Sequence, residues 1–149
     1  MKYRNLDMET YKRKSHFEYF SKLAYPYVGV TVNVDITDFI HTVKAQRLPF
    51  FLTFCYCAAR AANLVPEFRQ RVMDGRIVEY EYCKTSHTVA LEDGTYCYCT
   101  LDSRMAFDEY LPYAVRAQEE AKIRKRVEDD AGEVDGMIFR SFISVWMSR

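Results

Sequence analysis

The stretch "DGRIVEYEYCKTSHTVALEDGTYCYCTL" (residues 74–101) decides the fold. Two Asp-Gly pairs, Asp74-Gly75 and Asp93-Gly94, each sit between short runs rich in β-branched and aromatic residues. Asp-Gly in that setting is a hairpin signal, because tight turns need backbone angles that glycine adopts at little cost. The spacing therefore predicts that "FRQRVM" (68–73) folds back on "RIVEYEY" (76–82), and "SHTVAL" (86–91) on "TYCYCTL" (95–101).

Moving outward, both flanks of this β-rich centre read as helix. On the far side, residues 107–127 place Phe107, Tyr110, Leu111, Ala114, Gln118 and Ala121 near one helical face, with Pro112 tolerated because it lies near the start. On the near side, an apolar helix runs from about Pro49 to Asn63 and stops before Pro66, preceded by a short helix capped by Thr37 and reaching Gln46. Upstream again, "YPYVGVTVNVDIT" (25–37) alternates Val28, Val30, Val32, Val34 and Ile36 with Tyr27, Gly29, Thr31, Asn33 and Asp35, a strand pattern of period two. Residues 7–22 read as a helix with Asp7 available as N-cap. The tail "MIFRSFISVWMSR" (137–149) alternates once more and reads as a sheet-buried strand. Helices alternating with strands make one mixed α/β domain over residues 1–149, with no linker or internal repeat. A buried-type strand at the very end leads to the expectation that the domain is interrupted there.

Bulk properties narrow the function classes. Hydrophobic residues make up 49% of the chain, enough for a core. Lys plus Arg number 21 and Asp plus Glu 21, which leaves no bulk electrostatic case for nucleic acid or an anionic membrane. The longest apolar run, residues 48–62, is too short to span a bilayer, and the opening residues are too polar for a signal peptide, so a cytoplasmic location is expected. Twelve Tyr and ten Phe suit either a thick core or an aromatic-lined pocket. Five cysteines, including the pairs Cys55/Cys57 and Cys97/Cys99, lie among Phe, Tyr and Ala, where buried free thiols fit better than a zinc site, and no metal is expected. His16, His41 and His87 have no partners at metal spacing, and no phosphate loop or nucleophile elbow is present.

Several motifs succeed one another in a recognisable order. "YKRKSHFEYF" (11–20) and "VTVNVDIT" (30–37) resemble the opening of the chloramphenicol acetyltransferase family, a basic pair before His-Phe-Glu and two aromatics, then a strand and an Asp-hydrophobic-Thr turn. "LPFFLTFCYCAARAANLVPEFRQRV" (48–72) is similar to that family's Phe-Tyr-Pro helix and the Asn and Arg that follow it. The Asp-Gly hairpin at 74–91, "TYCYCTLD" (95–102) and "SFISVWMS" (141–148) resemble its next strands, so the likeness runs collinearly over residues 3–147.

The resemblance implies an α/β two-layer sandwich of mixed sheet and helices, coenzyme A-dependent acyltransferase-like and incomplete at the C-terminus. It implies acetyl transfer from acetyl-CoA, as co-substrate, to a hydroxyl of chloramphenicol or a similar acceptor. A homotrimer is implied, with active sites between subunits. The family's general base is the second His of a His-His-x-x-x-Asp-Gly motif, and that motif does not occur in these 149 residues. The chain alone is therefore expected to be inactive, or to serve as a non-catalytic oligomerising or ligand-binding module of the same fold. An unrelated small α/β ligand binder is the remaining alternative.

By position, Tyr19, Phe20, Ala24, Val28, Tyr96 and Tyr98 match the acceptor-pocket wall, with core filling as the competing role. Tyr98 is bulkier than the residue some members carry, so the acceptor need not be chloramphenicol. Phe51 and Trp146 match coenzyme-side positions, although Phe51 lacks the hydroxyl of the family Tyr. Arg13 matches the arginine that braces the catalytic loop through the motif's aspartate; with no such partner here, a solvated Arg is an equal alternative. Ser141 matches the oxyanion hydroxyl only if one residue is inserted before Trp146; otherwise Phe142 takes the place.

Overall fold

The computed structural model describes residues 2–127 and the backbone of residues 138–140. In chain order these form β1 (Tyr3–Asn5), α1 (Lys14–Phe20), α2 (Thr37–Ala45), α3 (Phe50–Leu64), a 3-10 turn (Pro66–Arg69), β2 (Gln70–Met73), β3 (Arg76–Tyr80), β4 (Lys84–Ala90), β5 (Tyr96–Leu101), α4 (Phe107–Arg124) and β6 (Ile138–Arg140).

Both Asp-Gly hairpins form. Asp74 and Gly75 have φ of 49° and 72°, the paired positive values of a two-residue turn that matches strand twist, and β2 runs antiparallel to β3 with Met73 opposite Arg76. The second turn is longer. Leu91 N–H bonds to Thr95 O at 2.9 Å, Gly94 takes φ of 82°, and the Asp93 carboxylate accepts from the Thr95 amide at 3.0 Å. Antiparallel pairing of β4 and β5 then runs from Ala90 opposite Tyr96 to Thr85 opposite Leu101.

Two three-stranded sheets result, ordered β1-β3-β2 and β5-β4-β6, and only the β4–β6 pair is parallel. Alternation along β4 and β5 turns Thr85, His87, Val89, Cys97, Cys99 and Leu101 to one buried face. That face meets α3 through Leu52 and α4 through Tyr110, Ala114 and Ala121. Helices over one face of a mixed sheet make a two-layer α/β architecture. Residues 107, 110, 111, 114, 118 and 121 of α4 fall where the helical period places them, and Asp108 with Glu109 at its start and Lys122 with Arg124 at its end complement the helix dipole. No helix among the described residues is long and apolar enough to cross a membrane.

A polar clamp joins the helical layer to the first sheet. Asn63, near the end of α3, donates to Cys83 O at 2.9 Å and accepts from Cys83 N–H at 2.8 Å. Arg69 donates to Asn63 O at 3.0 Å and to Tyr80 O, and pairs with Glu79 at 3.4 Å. One asparagine and one arginine thus satisfy the backbone of the link between β3 and β4, where no ladder partner serves it.

Three expectations need correction. The helix over 7–22 contracts to Lys14–Phe20, because the Asp7 carboxylate closes a local turn onto Glu9 N–H (3.0 Å) and Thr10 Oγ (3.0 Å) instead of capping a helix. Residues 25–36 form no strand: Tyr27, Val28 and Val30 are 87%, 99% and 87% exposed, and no described strand lies alongside. Thr37 begins α2 as expected, yet Asp35 is the acceptor that organises the turn, taking both the Thr37 amide (2.9 Å) and its hydroxyl (2.7 Å). The expected terminal strand is described only as β6; the rest of 137–149 lies outside the described residues.

Candidate functional site

The face of the β4–β5 hairpin turned away from the helices carries Ser86, Thr88 and Ala90 on one strand and Tyr96, Tyr98 and Thr100 on the other. The register sets Ala90 against Tyr96, Thr88 against Tyr98 and the buried Ser86 against Thr100, so the face carries two phenol rings at one end and aliphatic hydroxyls toward the other. Tyr96 and Tyr98 meet edge to face, with ring centroids 5.8 Å apart, and Tyr96 stays about half exposed. This strip can stack on a ring and donate hydrogen bonds to polar substituents.

The other expected wall residues stand apart from it. Tyr19 and Phe20 meet edge to face at 5.4 Å on the last turn of α1, both exposed, while Ala24 and Val28 lie in exposed coil. Helix α1 buries no residue and takes part in none of the extensive packing between elements. Phe51 turns inward: it packs on the core cluster with its ring 4.9 Å from that of His87. Arg13 holds Glu67 at 2.9 Å, with both side chains substantially exposed, which is the solvated-arginine alternative with a surface carboxylate added. Ser141, Phe142 and Trp146 lie outside the described residues.

His87 does not face the tyrosine strip. His16 and His41 are exposed on α1 and α2. His87 is 3% exposed on the opposite face of β4, its Nε2 3.0 Å from Gln118 Nε2 and its Nδ1 without a hydrogen-bond partner. If the Gln118 amide donates, Nε2 is the acceptor and the proton sits on Nδ1. Burial pushes its pKa down to about 4, so the ring is neutral and weakly basic at neutral pH.

The four buried thiols are equally unsuited to chemistry. Burial, with Cys99 nearby, pushes Cys55 up to about 12, and burial beside Cys97 pushes Cys99 up to about 11. Burial also raises Cys83 and Cys97. All five cysteines are unpaired, and Cys57 alone is exposed. It opens into a cleft of about 480 Å³ with Asp35, Ile36, Thr37, Asp38, Phe39 and Phe54, none of them anticipated as site residues. Among the described residues no cluster of metal-ligating side chains occurs.

Comparison with known proteins adds a consistent set of likenesses. The sequence pattern of the family described as chloramphenicol acetyltransferase matches residues 1–143. A chloramphenicol acetyltransferase of Klebsiella sp is 37% identical over 87 residues, covering 58% of this chain and 40% of the relative. Another from Proteus mirabilis is 32% identical over 84 residues, 56% of this chain and 39% of its own length. A solved structure of a chloramphenicol acetyltransferase superposes with a TM-score of 0.72 at 27% identity, over 87% of this chain and 59% of the solved one. The matched region thus spans about two fifths of those two relatives' length.

Proposed function

The chain belongs to the chloramphenicol acetyltransferase family, and on that premise we propose that its 149 residues supply the acceptor-binding side of an acetyl-transfer site. The observation that carries this reading is the tyrosine and hydroxyl strip of β4 and β5, formed by the strands that the family match covers. An acceptor with a flat ring and several polar substituents, chloramphenicol or a relative of it, suits Tyr96 and Tyr98 as stacking surfaces and Thr88 as a hydrogen-bonding partner. The side chain of Tyr98 narrows the strip and favours slimmer acceptors.

Transfer to an alcohol requires a base that takes the hydroxyl proton as the oxygen attacks the thioester carbonyl. The same group then protonates the departing thiolate, leaving an ester and a free thiol. His87 does not meet this need: it is buried on the far face of the sheet, with one nitrogen occupied by Gln118. The base therefore comes from outside these 149 residues, and the chain alone is catalytically silent. Acetyl-CoA, the co-substrate of this reading, brings the acetyl group as a thioester. Phe51 offers it no polar atom and faces the core, so the described residues do not by themselves fit a coenzyme site. We assign the domain to residues 1–149, the assembly to a three-fold one with sites between subunits, and the location to the cytoplasm, each on the family premise.

A second reading, a non-catalytic oligomerising module of this fold, is favoured by the exposed apolar segment 25–36. Calorimetric titration with chloramphenicol separates the two. The acceptor-binding reading expects saturable heat that falls several-fold in Tyr96→Ala and is unchanged in Tyr25→Ala, a substitution at an exposed tyrosine away from the strip. Absence of binding, or equal loss in both variants, contradicts it.

A further inference from the structure

The two Asp-Gly turns look alike in sequence, and both are exposed, yet their reacting groups are held differently. An aspartate before glycine has a ring closure within reach. The glycine amide nitrogen meets the side-chain carboxyl carbon in a five-membered ring, and glycine brings no Cβ to obstruct it. Whether the ring forms depends on how freely those two groups approach each other.

In the second turn both groups are engaged. Asp93 Oδ1 accepts from the Thr95 hydroxyl at 2.5 Å and from the Thr95 amide at 3.0 Å, which holds the carboxylate toward Thr95. The Gly94 N–H donates to Leu91 O at 3.2 Å. The Thr95 hydroxyl, and then its amide, also keep the Asp93 carboxyl below the usual carboxylate range, so less of the neutral acid that sheds water is present. In the first turn neither group is engaged. The Asp74 carboxylate has no hydrogen bond or ion pair among the described residues, and the Gly75 N–H donates to none of them. Asp74 lines a cleft of about 270 Å³ with Tyr3, Asn5, Met73, Arg76 and Val78, and no atom lies within 4 Å of a Cβ built on Gly75. The ring has room to form.

We infer that Asp74-Gly75 is a site of spontaneous isoaspartate formation, and that the Thr95 contacts protect Asp93-Gly94 from the same reaction. The Gly75 nitrogen attacks Asp74 Cγ, and the amide hydrogen leaves with the carboxyl hydroxyl as water, giving a cyclic succinimide. Water then adds at one of the two ring carbonyls. Opening at Cγ restores aspartate. Opening at the former backbone carbonyl breaks its bond to the Gly75 nitrogen, so the chain runs through Cγ and the old backbone carbon becomes a free carboxyl. Solvent water is the only other reactant. The product carries one extra main-chain methylene in a two-residue turn whose φ values of 49° and 72° match strand twist at the unmodified spacing. Pairing of Met73 with Arg76 is then lost, and the β2–β3 hairpin opens from its turn. The inference rests on the turns alone and does not depend on acetyl transfer.

Ageing the folded 149-residue chain at pH 7.5 and 37 °C in water enriched in oxygen-18, then mapping it with trypsin in ordinary water, tests this. Cleavage at Arg71 and Arg76 releases residues 72–76, and cleavage at Lys84 and Arg104 releases residues 85–104, so each turn has its own peptide. Heavy oxygen records passage through the ring, and electron-transfer fragmentation locates isoaspartate. Both should accumulate at least tenfold faster at Asp74 than at Asp93, and the gap should close once urea unfolds the chain and removes the Thr95 contacts. Thr95→Ala should speed the reaction at Asp93 several-fold and leave Asp74 unchanged, while Asp74→Glu, whose ring would be larger, should abolish the signal in the first turn. Equal rates at the two sites of the folded chain overturn the inference. So does a gap that survives unfolding. Absence of label at Asp74 over the time in which the unfolded chain converts overturns it too.

Discussion

A buried imidazole with one partnered nitrogen makes a fold sensitive to acid. His87 has an ordinary value near 6.5 in the unfolded chain and is pushed down to about 4 in the folded one, because burial disfavours its charged form. Below pH ~6.5 the unfolded state therefore binds a proton that the folded state refuses. The stabilisation is full above that pH and drains away as pH falls toward 4. The loss is on the order of 3 kcal/mol, at 1.36 kcal/mol per unit. Urea unfolding at pH 7.5, 6 and 5 should show this decline, and His87→Gln should flatten it; an identical slope in the variant would assign the acid sensitivity elsewhere. The site of His87 was partly readable, since a residue two before Val89 and two after Thr85 shares their face. Its pairing with Gln118 was not, because thirty-one residues separate them and only packing of α4 brings them together.

At the scale of elements, local signals held where the chemistry that decides them is local. The Asp-Gly hairpins formed because turn geometry and alternating strands agree within a few residues. Helix α3 formed because its apolar period and the flanking Pro49 and Pro66 agree, and α4 because its apolar period and end charges agree despite Pro112 inside it. Residues 25–36 had the most regular alternation and formed no strand, since alternation prepares a segment for pairing and cannot supply the neighbour. Asp7 reads as a helix cap in sequence, but its carboxylate serves a nearer amide. The clamp from α3 to the β3–β4 link gives a direct prediction. Asn63→Ala leaves the Cys83 amide and carbonyl without their partners and should cost about 2–4 kcal/mol in urea unfolding, whereas Asn63→Asp, which keeps the acceptor, should lose less. Equal losses in the two variants would show that the amide bonds do not hold the link.

Across the whole molecule, the family was legible in the succession of motifs, and the match over residues 1–143 and the superposed relative support it. The site was less so. Tyr96 and Tyr98 share a strand face that alternation alone assigns, but Tyr19, Phe20, Ala24 and Val28 belong to segments that the described core does not hold against them. Nothing in the described core packs on those segments, which is why residue type and order could nominate them without assembling them. The central claim is that the chain presents an acceptor surface and no base. It is tested by incubating the folded 149-residue protein with acetyl-CoA and chloramphenicol and following loss of thioester absorbance together with formation of the acetyl ester. The account predicts a rate equal to the protein-free blank; sustained ester formation by this chain alone would contradict it.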